Sequence, residues 1–346
     1  MSKLTRLYCA LGKYAKAEAL GRRALAIWEK SLGPDHPEVA SGLNNLGMIY
    51  YHQGNYQEAE SYFRRALAIS ERVFGPDHRR VAAVLNNLAA LYQAQSRYGS
   101  AEPLQQRALA IMEKALGPDH PDVAISLNNL GALYAAQSRY ISAHPLYRRA
   151  LAIREKTLGT NHPDVATSLH NLAGLYAGLS HYEKAEPLYR QALMIRTKML
   201  GPKHLLVAMT LDDLAAVYST QFRFKKAERL HFQALKIQED EWGSKHLSLA
   251  LTLHRLVALY TRQKRYAKAE PLLQHLLEIR EEAFGPNHPE VARTLQLLAE
   301  VYSAQRKYDR AEAVSRDLLA LKEKARGFEH PRLSPICKTT LSSCEK

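Results

Sequence analysis

The sequence predicts an all-α solenoid of stacked antiparallel helix hairpins, and three observations predict it. Glycine recurs at positions 33, 75, 117, 159, 201, 243, 285 and 327, a step of 42 residues with no gap or insertion. Three residues after each stands a histidine: His36, His78, His120, His162, His204, His246, His288 and His330. Within each period, two stretches of helical hydrophobic spacing are parted by a turn signal. A fixed period of this size is one supersecondary unit stacked on copies of itself. Such arrays present extended surfaces to other macromolecules.

Residues 37–78 show how each element arises. Leu43, Leu46, Gly47 and Tyr50 fall at i, i+3, i+4 and i+7, the stripe of one helix, here helix A. Gly54-Asn55 breaks it. Ala59, Tyr62, Phe63, Ala66 and Leu67 form a second stripe, helix B. Gly75-Pro76 ends that helix, because proline cannot continue one. Pro37 restarts the next at a first-turn position, where its missing N–H is no loss.

Repeated along the chain, this unit gives a partial first hairpin at 1–36 and seven full ones at 37–78, 79–120, 121–162, 163–204, 205–246, 247–288 and 289–330. Tyr8, Gly12, Tyr14 and Ala17 align with Tyr50, Gly54, Tyr56 and Ala59, so the array begins inside a helix A. A piece of a longer protein, or a frayed first hairpin, is expected. Residues 331–346 start like another helix A and lose the pattern around Pro335, which reads as a degenerate cap or tail.

Small residues recur where helices should cross. Ala59, Ala101, Ala143, Ala185, Ala227, Ala269 and Ala311 never vary, and Gly47 is followed by Ala89, Gly131, Ala173, Ala215, Val257 and Ala299. Small side chains let backbones approach to about 8 Å. Tyr50, Tyr56 and Leu67 should fill the gaps, and Leu67→Ala is expected to cost about 2–5 kcal/mol. Pro103, Pro145, Pro187 and Pro271 are expected to shift the first turn of helix B slightly.

Asn45-Leu46-Gly47, Tyr50, Gly54, Tyr56, Ala59 and Ala66 resemble the tetratricopeptide (TPR) pattern, whose usual period is about 34 residues. The longer period, with its Leu-Gly-Pro-Asp-His-Pro turn, is similar to the kinesin light chain and nephrocystin type of TPR. The residues running from Ala150 to Gly159 are especially close. The resemblance covers roughly residues 1–330 and implies a right-handed superhelix whose A helices line a concave, peptide-binding surface. It departs from kinesin light chains in having no N-terminal heptad coiled coil.

One face of helix A points to the function. Opposite the buried stripe lie Ser41, Asn44, Asn45, Met48 and His52; then Ala83, Asn86, Asn87, Ala90 and Ala94; then Ile125, Asn128, Asn129, Ala132 and Ala136; then Thr167, His170, Asn171, Gly174 and Gly178. An ordinary solvated face would be rich in Lys and Glu, and these residues include neither. Mid-helix asparagine is a mediocre helix former and needs a compensating hydrogen bond. Two readings stay open: an asparagine ladder between neighbouring helices, or amides offered to the backbone of a bound peptide. TPR resemblance implies contact with ligand at these positions. Further on, Asp212 and Asp213 stand near Arg255 and Arg262, as an inter-repeat salt link or the polar end of the groove. Peptide is expected along the second to fifth hairpins, with Asp213 and Arg255 setting orientation.

The remaining signals are weaker. The chain carries 48 Lys and Arg against 34 Asp and Glu, a net charge of +14, which suits solubility or an acidic ligand. Arg64, Arg65, Arg97, Arg139, Arg148, Arg149, Arg223, Arg265 and Lys307 hold much of it. Nucleic-acid binding is the first rival, but reading positions that stay Asn and Ala do not suit base-by-base recognition. A sensor or scaffold part of a longer regulatory protein is the second. Periodic histidines about one helix diameter apart cannot share a metal, so turn or cap roles are expected, with no metal and no cofactor. Phosphate-loop, dinucleotide and nucleophile-elbow motifs are missing, so no enzyme is expected. Three cysteines (Cys9, Cys337, Cys344) form no disulfide framework, and no leader or membrane span is apparent. A cytoplasmic monomer that binds a protein or peptide is the expectation.

Overall fold

A computed structural model describes residues 14–327, with side chains as far as Leu321. Tyr8 and Gly12, the three cysteines, His330 and the tail at 331–346 lie outside the described residues. The described residues form fifteen α-helices and no strand. The chain divides into two compact units, Met1–Leu200 and Gly201–Lys346. In the first, α1 (Tyr14–Leu32) precedes the hairpins α2 (Pro37–His52) with α3 (Tyr56–Phe74), α4 (Arg79–Ala94) with α5 (Tyr98–Leu116), α6 (Pro121–Ala136) with α7 (Tyr140–Leu158), and α8 (Pro163–Gly178) with α9 (Tyr182–Leu200). In the second, α10 (Leu205–Thr220) pairs with α11 (Phe224–Trp242), α12 (Ala250–Arg262) with α13 (Tyr266–Phe284), and α14 (Pro289–Ala304) with α15 (Tyr308–Gly327). Within each unit every helix packs on its chain neighbours, and successive A helices also touch: α2 with α4, α4 with α6, α6 with α8, and α10 with α12.

The periodic histidines start the A helices. Nδ1 of His36, His78, His120, His162, His204, His246 and His288 accepts the backbone N–H two residues on, at 3.1–3.2 Å. Each supplies a partner for one of the orphan donors of a helix N-terminus. His246 caps a 3₁₀ turn, Leu247–Leu249, that leads into α12. At the other helix ends the glycines are needed: Gly75 has φ 86° and ψ 157°, a region essentially closed to other residues.

Burial follows the small-residue columns. Ala59, Ala101, Ala143, Ala185, Ala227 and Ala269 are fully buried, and Ala311 is buried. Gly47 lies under the Phe63 ring, and an added Cβ would sit 2.6 Å from it; Gly131 meets Tyr147 in the same way at 2.7 Å. Tyr62 and Leu67 are only half-buried, because the helix B stripe turns deepest at Ala59, Phe63, Ala66 and Ile69. Leu67→Ala therefore belongs at the low end of its range, about 2 kcal/mol. Nor do the prolines alter the extent of helix B: α5, α7, α9 and α13 span 19 residues, as α3 and α11 do without one.

A second periodic contact ties hairpin to hairpin. The Tyr50 hydroxyl donates to Glu18, Tyr92 to Glu60, Tyr134 to Glu102 and Tyr260 to Glu228, at 2.6–3.0 Å. Arg97, Arg139 and Arg265 reach the second oxygen of the same carboxylates at 2.7–2.9 Å. The hydrogen bonds from Tyr50 and Gln53 hold the Glu18 carboxyl below its ordinary range. Burial, with the bond to Glu18, pushes Tyr50 up to about 12.

Candidate functional site

The asparagine face of the A helices is half-buried, with Asn128 and His170 buried, and its amides pair in a fixed register. Asn87 Nδ2 donates to Asn44 Oδ1 at 2.9 Å, and Asn171 Nδ2 approaches Asn128 Oδ1 at 3.5 Å. Each rung joins the second residue of the face pair on one helix to the first of the pair on the helix before it, 43 residues back. The same register offers Asn129 to Asn86, but Asn86 Oδ1 is buried without a hydrogen-bond partner among the described residues. Asn45 would pair 43 residues back with a position outside the described residues. Asn128 also donates to Ser168 Oγ at 3.2 Å, and the His170 ring stands edge-on to Tyr189 with centroids 5.1 Å apart.

In the second unit the same register holds charge. Arg255 Nη1 lies 2.5 Å from Asp212 Oδ2 and 2.8 Å from Asp213 Oδ1. Asp212 is buried, and its other oxygen meets Nδ1 of the buried His231 at 2.6 Å. Arg262 does not join them. Its guanidinium lies over the Phe222 ring at 5.3 Å and donates to the Ser219 carbonyl at 3.4 Å. Phe222 is 71% exposed in a left-handed turn conformation, so it offers Arg262 an aromatic face.

A column on helix B decides how much room the face has. Trp28, Ser70, Met112, Arg154, Arg196, Gln238 and Arg280 occupy one position of the repeat. Trp28 packs on Gly42, where an added Cβ would lie 3.0 Å from the ring. Arg154 and Arg196 are buried, and Met112, Gln238 and Arg280 half-buried. Ser70 alone in this column is small. Beside it, between α2 and α4, opens a cavity of about 220 Å³ lined by Ser41, Asn44, Asn45, Phe74, Arg80 and Val84. A cavity of about 150 Å³ already admits benzene, so this one has room for a large side chain.

Basic residues singled out in the sequence are largely engaged. Arg64 pairs with Glu60, Arg65 with Glu29 and Arg149 with Glu113, at 2.5–2.9 Å, and Lys307 pairs with Glu270 at 2.6 Å. Sequence reasoning missed the Ser70 cavity, His231, and the burial of Arg154 and Arg196. A comparison along two helix B positions could have signalled them: the column of Ser70, Arg154 and Arg196, and the one in which His231 follows Phe63, Gln105, Tyr147 and Tyr189.

The tetratricopeptide-repeat family model matches six segments, residues 2–71, 38–114, 80–156, 145–198, 182–240 and 248–324, of which the first five overlap in succession. No curated protein sequence is similar enough to count as a match. Among solved structures, the chain is similar to a point variant of a kinesin-light-chain-type protein of Podosopora anserina with nearly identical TPR-like repeats, at 29% identity and TM-score 0.50, covering 57% of this chain and 93% of that one. The apo quorum sensor NprR from B. thuringiensis is similar at 15% identity and TM-score 0.66, over 92% of this chain and 85% of that one. The tetratricopeptide-sensor STAND protein PH0952 from Pyrococcus horikoshii follows at 15% identity and TM-score 0.63, with 94% and 47% covered. The last two likenesses concern the fold. No described helix is long and apolar enough to cross a membrane.

Proposed function

The chain belongs to the tetratricopeptide-repeat family, and from that premise we propose a cytoplasmic, monomeric interaction scaffold that holds an extended peptide or partner helix against the asparagine face of its A helices. TPR repeats are in general protein-interaction modules. The observation that carries the finer reading is the Ser70 cavity. It opens beside Asn44 and Asn45, where the other members of its column are larger. A bound chain fits this arrangement with one large side chain in the cavity and its backbone along Asn44, Asn45, Asn86, Asn87, Asn128, Asn129, His170 and Asn171. Asn129 and the Asn86 carbonyl, which form no rung together, are the amides best suited to peptide groups. Asp213 and Arg255 bear the charge of the corresponding face in the second unit.

Ser70→Met, which copies Met112, tests the reading. Peptides selected from a random array on the wild-type protein should lose at least tenfold in affinity on the variant, with melting unchanged or raised. Selection that is blind to this substitution, or an array that yields no peptide, would sink it. Nucleic-acid binding is the weaker alternative, since the arginines that suggested it largely pair with carboxylates. Any such binding should collapse with salt.

A further inference from the structure

In the fourth hairpin, the large side chain of the helix B column is a cation that forms no ion pair among the described residues. Arg154 is 6% exposed. Its Nη1 donates to the Asp164 carbonyl oxygen at 2.9 Å and to Ser168 Oγ at 2.8 Å, both neutral acceptors. Among the described residues no carboxylate oxygen comes within 4.0 Å of the guanidinium.

Arg280 shows the complete arrangement. At the same position in α13 it makes the same two bonds, to the Glu290 carbonyl at 3.1 Å and Thr294 Oγ1 at 2.8 Å. It then adds the Glu290 carboxylate at 2.8 Å. Asp164 occupies the place of Glu290, one methylene shorter, and its carboxylate stands 3.7 Å from His162 Nδ1. Burial pushes the Arg154 pKa down, against a partial opposing pull from Asp164.

A second buried cation reaches the same spot. Arg196, 1% exposed, extends from α9 with Nη2 at 3.4 Å from Thr167 Oγ1. Arg154 and Arg196 thus donate to consecutive residues of α8, and beside Arg154 the Asn128 amide donates to the same Ser168 Oγ at 3.2 Å. A buried charge is costly unless paired.

We propose that Arg154 is an anion subsite of the groove and takes a carboxylate of the bound partner, which supplies the charge that Glu290 gives Arg280. The subsite rests on the peptide-binding reading of the same face. A guanidinium fork holds a carboxylate with two parallel hydrogen bonds, so the subsite fixes the register of a peptide as well as its charge. The carboxylate belongs either to an Asp or Glu side chain or to the chain terminus.

Two substitutions that this chain already makes elsewhere provide the test. Arg154→Met copies Met112, and Asp164→Glu copies Glu290 and saturates the arginine internally. Without ligand, both variants should melt at or above the wild-type temperature. A large drop for Arg154→Met would make the arginine a structural tie and overturn the subsite. On a synthetic array of paired peptides, the wild type should prefer Glu over Gln, or a free over an amidated C-terminus, at least tenfold at one register. Both variants should lose that preference and still respond to Ser70→Met; the pair that loses it identifies the source of the carboxylate. A preference that survives Arg154→Met overturns the subsite and leaves the groove standing. If the array yields no peptide, the groove reading falls, and melting in succinate against chloride at equal ionic strength tests the anion site by itself: stabilisation that Arg154→Met abolishes upholds carboxylate binding at Arg154, and none overturns it.

Discussion

Arg255 and Asp212 repeat, in ions, the link that Asn87 and Asn44 make in amides. Each joins the second face residue of a helix A to the first of the preceding one, 43 residues back. The register is geometric, set by how A helices stack, and the chemistry of the pair is free to vary. Arg255→Ala would leave Asp212 buried with only His231, which should destabilise the second unit by about 3 kcal/mol, the low end for breaking a buried pair. The double change Asp212→Asn with Arg255→Asn rebuilds the amide rung and should recover most of that loss. Urea unfolding of the two variants measures both effects.

Asn87 and Asn129 should part company. Asn87→Ala removes a rung and should cost about 1 kcal/mol, the net worth of a typical hydrogen bond, less the small gain from a better helix former. Asn129→Ala breaks no side-chain pair and should leave melting unchanged while weakening peptide binding by roughly 1–3 kcal/mol. Melting and affinity on each single variant separate the two. Equal affinity losses would show that the rung amides also face ligand.

Gly47→Ala should destabilise by about 1–3 kcal/mol, as overpacking does, because its Cβ would meet the Phe63 ring. Gly131→Ala should behave alike against Tyr147. A neutral result by thermal melting would mean that the rings can step aside.

Phe222 pays for a left-handed backbone, φ 60°, at a turn position held elsewhere by Ser96, Ser138 and Ser180. Phe222→Gly should raise the stability of the second unit by about 1 kcal/mol. A lower melting temperature would mean that the contacts with Arg262 and Phe224 outweigh the strain.

The tyrosine–glutamate contacts predict stability limits at both ends of the pH scale. Hydrogen bonds from Tyr50 and Gln53 lower the Glu18 carboxyl, and one from Arg139 lowers Glu102. Depressed carboxyls stabilise fully above their ordinary value near pH 4.3, and that contribution is lost as pH falls below it. Tyr50, raised to about 12, stabilises fully below its ordinary value and loses that contribution as pH rises from about 10. Glu102→Gln should flatten the acid limb of a stability–pH curve, and Tyr50→Phe the alkaline limb.

Sequence patterns made the hairpins readable because each rests on local chemistry: a histidine cap, two helical stripes, a glycine that alone tolerates its backbone angles. Asparagine rows were equally visible, as a face without charge. Their pairing was not, since a rung joins residues whose approach depends on the stacking of separate helices. Arg154 was hidden for a related reason. In the run Ile153-Arg154-Glu155-Lys156 it looks like one more solvated cation, and its burial comes from the arrival of α8. Arg262 was misplaced because nothing local announces that Phe222 will turn outward beside it.

The helix B column has an evolutionary consequence. One residue per repeat sets whether an opening exists and what charge it presents, while caps, alanine crossings and tyrosine–glutamate contacts lie elsewhere in the unit. On the proposed reading, recognition is thus written at an address of its own in each repeat. Moving an opening from one hairpin to another then takes two substitutions, one to fill the old opening and one to make the new, while the caps and crossings stay as they are.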